Sequence, residues 1–317
     1  MPNPLKNNFT PATTGPLAKL DQFMLSHVAM PRIIPYFLYV AGASLNNLID
    51  GYLSDYHLYA SYPIGYLLFC TLIAYILWRY RKLTPEINAQ FHWLAIPTGL
   101  LLIVAWIGLG WYFSKHGNQF PLRYQNLIAH NAPPPDAALD AINPKIRIEN
   151  HKLNFIAQKG AILGYLSLSV RVIGMTLLVP FLEEVLMRSL LLRALAHPKK
   201  TMKMAFLALL DFPAIGDALI NTKLAQRIEQ NPPSFEDEFR ATPLGQITCF
   251  GVIISSLVFA IGHAPRDYAA AMLCGITWCI LLKFTKNKGL GPVIWSHGIA
   301  NAALVAYVLY YNDWQFL

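Results

Sequence analysis

The chain has 317 residues, 55% of them hydrophobic and only 13% charged, where a soluble globular chain carries roughly 25% charge. That composition excludes an ordinary soluble domain and predicts an all-α, polytopic membrane helix bundle. The net charge of +8 comes from bases scattered between apolar runs; this suits a bilayer with anionic lipid, and without a contiguous basic patch it argues against a nucleic-acid partner.

In chain order, residues 1–30 are polar and rich in Pro and Thr, without the apolar core of a signal peptide, and read as a mobile tail. Residues 31–159 read as a three-span region, with apolar runs near 33–49, 61–79 and 93–114 and then a polar connection holding Ala-Pro-Pro-Pro at 132–135. Tyr80, Trp93, Trp111 and Tyr112 sit at the ends of these runs, as interfacial aromatics do. Residues 160–317 read as a second helix bundle, interrupted by a polar insert at about 213–242. Its apolar stretches are 160–196, 246–264, 267–284 and 290–311. The first is too long for one ordinary pass. Pro180 lacks a backbone donor and suits the first turn of a new helix, so the expected count is eight spans, with seven if 160–196 crosses once. Cys70, Cys249, Cys274 and Cys279 lie in or beside apolar runs with no CxxC pair, which reads as packing, not as a disulfide framework.

Three polar clusters interrupt these apolar helices. FLEEVLMR at 181–188 carries Glu183, Glu184 and Arg188. Acids are costly near a bilayer interior and mark functional sites there. Glu184 and Arg188 share a helix face, while Glu183 is turned about a hundred degrees away. SSLVFAIGH ends at His263, one turn after Phe259, and WSHGIAN places His297 and Asn301 on one face. Each cluster alone is explained by helix–helix hydrogen bonding. Paired glutamates, a matching arginine and two histidines from different helices are harder to explain as independent packing. Together they suit hydrolysis. A carboxylate in an apolar site is a capable base toward water, a histidine can share that water, and a His/Asn face can donate to an oxyanion. The same atoms also suit zinc, with Glu183, His263 and His297 as ligands and a fourth position open to water.

EEVLMR fits EExxxR, FAIGH fits FxxxH and HGIAN fits HxxxN, in that order. Over residues 160–311 the chain therefore resembles the CPBP family of intramembrane proteases, which includes the type II CAAX prenyl endopeptidases and bacteriocin-processing enzymes. The resemblance implies that Glu183 activates water with His263, that His297 and Asn301 stabilise the oxyanion, and that Glu184 and Arg188 orient the site. It implies a membrane-associated protein substrate and a multi-pass place in a bacterial inner membrane. It favours glutamate-activated water over a zinc cofactor. Asp211-Phe212 and the ending YNDWQFL are similar to the exosortase-associated CAAX-protease-related proteins, which are linked to C-terminal sorting segments; the insert at 213–242 departs from them. The competing reading is a proton-coupled carrier that uses buried Glu and His as relay groups. Carriers are often built of internal repeats, and none is visible here.

Overall fold

The computed structural model describes residues 9–54, 56, 60–116, 161–210, 222, 234–264, 267–311, 313 and 316. Most of the polar connection at 115–159 and of the insert at 213–242 lies outside the described residues. Every regular element among them is helical: α1 (Gly15–Ser26), α2 (Met30–Ser54), α3 (Ser61–Tyr80), α4 (Ala95–His116), α5 (161–194), α6 (Pro198–Leu210), α7 (Phe235–Ala241), α8 (Cys249–Ile261), α9 (Tyr268–Thr285) and α10 (Gly291–Tyr311).

Among the described residues five helices are long and apolar enough to cross a membrane: Ser61–Tyr80, Ala95–Phe113, Ile162–Ala194, Tyr268–Lys288 and Gly291–Tyr311. Their surface is turned inside out relative to a soluble protein. Leu68, Leu101, Ile162 and Phe284 face outward, while Glu184, Arg188, Ser296 and His297 are buried. Helices that present apolar side chains outward and polar ones inward have lipid, not water, around them. The chain is an integral membrane protein. α2 and α8 complete the bundle, α2 packing along α3 and α8 along α9.

The expected eight spans are corrected here. Residues 161–194 form one unbroken helix that passes through Pro180. Proline normally breaks a helix because it removes one donor and its ring crowds the preceding turn. α5 absorbs both effects by opening to π-helix at Gly174–Leu178, immediately upstream. The main bundle therefore holds seven helices among the described residues: α2, α3, α4, α5, α8, α9 and α10. They alternate in direction. One end gathers the start of α2, the end of α3, the end of α5, the starts of α8 and α10 and the end of α9. Arg32 Nη2 lies 2.7 Å from Glu86 Oε1, and Ser189 also bonds Glu86. Arg193 donates to the carbonyls of Thr242 and Phe239. Thr248 Oγ1 donates to Leu195 O at 3.4 Å, and the Leu290 N–H donates to Glu86 O at 2.9 Å. The Phe239 ring of α7 sits under both Arg32 and Arg193, 4.9 and 3.9 Å from their guanidinium carbons.

The amino-terminal segment also departs from a mobile tail. From residue 9 it is ordered against α3. Met24 of α1 is buried with Ile76 and Tyr80, and Asp21 is fully enclosed. Asp21 accepts from Ala12 N at 2.7 Å, Arg79 Nε at 2.9 Å and Tyr80 Oη at 2.7 Å. Burial alone raises the Asp21 pKa, but the Arg79, Ala12 and Tyr80 donors outweigh it and hold the carboxyl below its ordinary value. A depressed carboxyl stabilises the fold above its unfolded pKa of about 3.9 and loses that contribution as pH falls through the lower folded value. Amide protection of α1 in hydrogen exchange is thus expected to hold above about pH 4 and to collapse below it. Asp21→Asn should loosen α1 by about 2 kcal/mol at neutral pH; unchanged α1 protection in that variant would refute the latch.

Candidate active site

The site is built on the stretch of α5 between two π segments, Gly174–Leu178 and Val185–Leu191. π turns inside α-helices are uncommon and concentrate at functional sites. The first has a visible cause. In its register the Val179 N–H bonds Gly174 O, so the next donor would be residue 180, bonding Met175 O. Pro180 has no N–H to give. Asn301 of α10 supplies the missing donor, its Nδ2 lying 2.8 Å from Met175 O. The approach of α10 requires glycine at 298, since a Cβ there would come 2.8 Å from Thr176 O.

One turn further, Glu184 is completely buried. Arg188 Nη1 donates to Glu184 Oε1 at 3.3 Å, and Arg188 Nε lies 3.1 Å from Oε2 as an ion contact, not an aligned hydrogen bond. Arg188 Nη2 donates to Gly275 O at 3.2 Å. Its guanidinium carbon lies 5.0 Å from the Phe259 ring centre and 5.3 Å from that of Trp278. A charge in this setting is tolerated because it has a counter-ion, a carbonyl and two aromatic faces.

Glu184 also holds His297. Nδ1 of that imidazole lies 2.8 Å from Glu184 Oε1, a contact in which the ring nitrogen donates to the carboxylate. The ring stacks on Trp278 at 4.2 Å and 21°, and Trp278 Nε1 donates to Ser296 Oγ at 3.1 Å. Nε2 faces Glu183, whose Oε2 is 3.6 Å away. Glu183 thus differs sharply from its neighbour. Its side chain keeps 17% exposure against none for Glu184, and of the two carboxylates it is Glu184 that Arg188 bonds.

The structure therefore brings Glu183, Glu184, Arg188 and His297 into one network and ties Asn301 to the same helix. It sets His263 apart from this group. His263 Nδ1 lies 2.8 Å from Phe259 O, and its ring contacts Phe259 at 4.6 Å and Trp106 at 5.4 Å. The Phe259 ring also lies 6.1 Å from that of His297, so one benzene ring touches both imidazoles. The histidine beside Glu183 is His297, not His263. The zinc set of Glu183, His263 and His297 is not assembled either: among the described residues no group of three or more His, Cys, Asp or Glu side chains is spaced to hold a metal. Trp278 was not singled out by the sequence. It is one aromatic in an apolar helix, and only the tertiary stack on His297 gives it a role.

One helix pass nonetheless brings Glu183 and His263 to similar depth. From the end where α5 stops and α8 and α10 start, Glu183 is eleven residues in, His263 fourteen and His297 six, or roughly 16, 21 and 9 Å along the axes. Glu183 does not lie at the end of its helix, which runs on to Ala194.

Residues 232–303 match the family model described as Type II CAAX prenyl endopeptidase Rce1-like. This segment is Rce1-like. It contains Phe259, His263, Trp278 and His297, together with Asn301, while Glu183, Glu184 and Arg188 join it through the contacts above. No curated protein and no solved structure matches the chain. The Rce1-like segment is set among helices long and apolar enough to cross a membrane.

Proposed function

We propose that this protein hydrolyses a peptide bond of a membrane-associated substrate with a water activated by Glu183. The observation that carries this is the inequality of the two adjacent carboxylates. Glu184 is engaged by Arg188 and His297, whereas Glu183 is partly exposed and lies 3.6 Å from an imidazole. A base must have a free lone pair within reach of water, and Glu183 is the carboxylate of this pair that meets the condition. Glu184 and Arg188 act by fixing His297. His263, with Nδ1 turned to a carbonyl, has Nε2 left to share the water. A prenylated CAAX peptide is one substrate class this reading admits, and a C-terminal sorting segment is another.

Orientation follows from the seven-helix count. Arg32, Arg79, Arg81, Lys82, Arg193, Lys283, Lys286 and Lys288 all fall at the end where α5 stops. By the positive-inside rule we read that end as the cytoplasmic one. An eighth span would have sent residues 283–288 to the opposite face from residues 79–82.

The test uses the purified protein in lipid nanodiscs and fluorescence-quenched peptides, one with an S-farnesylated CAAX terminus and one carrying an apolar C-terminal sorting segment. Cleavage of either supports the reading, and cleavage of neither rejects it. With the responsive peptide, EDTA and 1,10-phenanthroline should leave the rate unchanged. A rate abolished by chelation and restored by zinc would transfer the chemistry to a metal.

A further inference from the structure

The two nitrogens of His297 fix its ring only within the ring's own plane. Nδ1 donates to Glu184 Oε1 at 2.8 Å, and Nε2 lies 3.6 Å from Glu183 Oε2. Contacts at two points of the ring edge leave one freedom, a tilt about the line that joins them. A flat surface against the face of the imidazole resists that tilt. Trp278 of α9 supplies one, its ring centre 4.2 Å from that of His297 with 21° between the planes. Phe259 meets the same imidazole edge-on, at 6.1 Å and 83°, and so leaves the tilt unopposed.

Trp278 is itself firmly mounted. It is the largest wholly buried side chain among the described residues. Its Nε1 donates to Ser296 Oγ at 3.1 Å, and Ser296 immediately precedes His297. The edge and the face of the indole are thus both tied to one turn of α10. One turn earlier on α9, Gly275 O accepts from Arg188 Nη2 at 3.2 Å. A Cβ at Gly275 would come 2.7 Å from Ser256 Cβ, so α9 lies hard against α8 at this level. An aliphatic residue would fill the same space, but it has neither a flat face for the imidazole nor a donor for Ser296.

We propose that Trp278 is a positioning residue for the hydrolysis, its indole face holding the His297 imidazole in the plane that keeps Nε2 beside Glu183. This rests on the endopeptidase reading above. Trp278 is shut away from solvent and acts through His297, not on the substrate. Its loss frees the ring to tilt and moves Nε2 off its place, and a misplacement of about 1 Å in an active site lowers the rate by about 10²-fold.

The experiment compares wild type, Trp278→Met and Trp278→Phe on the responsive quenched peptide in nanodiscs, with the melting temperature of each. Methionine fills space without a flat face, and phenylalanine restores a face without the donor. Both variants should melt lower than wild type, because both leave a gap and strand Ser296. Their kinetics should separate: kcat falls about 10²-fold in Trp278→Met at unchanged KM, and Trp278→Phe keeps most of the wild-type kcat. Equal losses of kcat in the two variants, or a loss carried by KM, would assign Trp278 to packing alone and overturn the proposal. So would a kcat within threefold of wild type in Trp278→Met. If neither variant folds, Ser296→Ala releases the indole edge by trimming one hydroxyl; kcat should then fall more than threefold at unchanged KM, and an unchanged kcat overturns the proposal. A wild type that cleaves neither peptide rejects the endopeptidase reading, and this role with it; a cleaving wild type with an indifferent Trp278→Met rejects the role of Trp278 alone.

Discussion

Glu183→Gln is expected to lower the kcat of peptide cleavage by about 10²–10⁴-fold, the range a positioned general base contributes, with folding unaffected. Glutamine keeps the volume and the hydrogen-bonding reach of the side chain and removes only the basic lone pair. Glu183 is partly exposed and is not the partner of Arg188, so no buried charge is orphaned by the change. A thermal transition equal to wild type together with lost cleavage is the expected pair of readouts. His263→Ala should also reduce kcat. Full cleavage by either variant would remove that residue from the chemistry.

Arg188→Met is expected to behave in the opposite way, as a folding defect first. Glu184 would remain wholly buried with its counter-ion gone, and breaking a buried pair by removing one partner costs about 3–5 kcal/mol. The guanidinium also fills the space between Phe259 and Trp278 and satisfies Gly275 O, so packing is lost with the charge. The result should be a strongly lowered melting temperature in detergent and little protein in the membrane fraction. Arg188→Met combined with Glu184→Gln should regain much of that stability, because the orphaned charge goes, but not activity, because His297 loses its anionic partner. A double variant no more stable than Arg188→Met would refute the buried ion pair as the main term.

The fold class was legible because it rests on composition and on apolar runs of span length. The Glu184–Arg188 pair was legible too, since a spacing of four on one helix is local geometry. What failed depended on rotation and register. Pro180 reads as a helix start by every local rule, yet a π turn and a donor from Asn301, more than a hundred residues away, keep the helix whole. The partner of Glu183 is fixed by how α5 and α10 rotate against each other, which spacing within either helix does not encode. Trp278 gave no signal at all, because an aromatic in an apolar run looks alike whether it faces lipid or a histidine.

The continuity of α5 makes bilayer thickness a variable of the site. Ile162–Ala194 is 33 residues, roughly 50 Å of helix against a hydrocarbon slab of about 30 Å. Tilt does not absorb the whole excess at ordinary angles, so part of the helix stands clear of the slab. Arg193 and the lysines that follow it draw that surplus toward the headgroups at the end where α5 stops. Glu183, eleven residues from that end, then rides at the boundary of oil and water, not at the midplane. A thicker membrane would drown the carboxylate in acyl chains, and a thinner one would float it into the headgroup layer, where water is abundant. Reconstitution in a series of lipids of increasing chain length thus becomes a way to titrate the hydration of a single carboxylate.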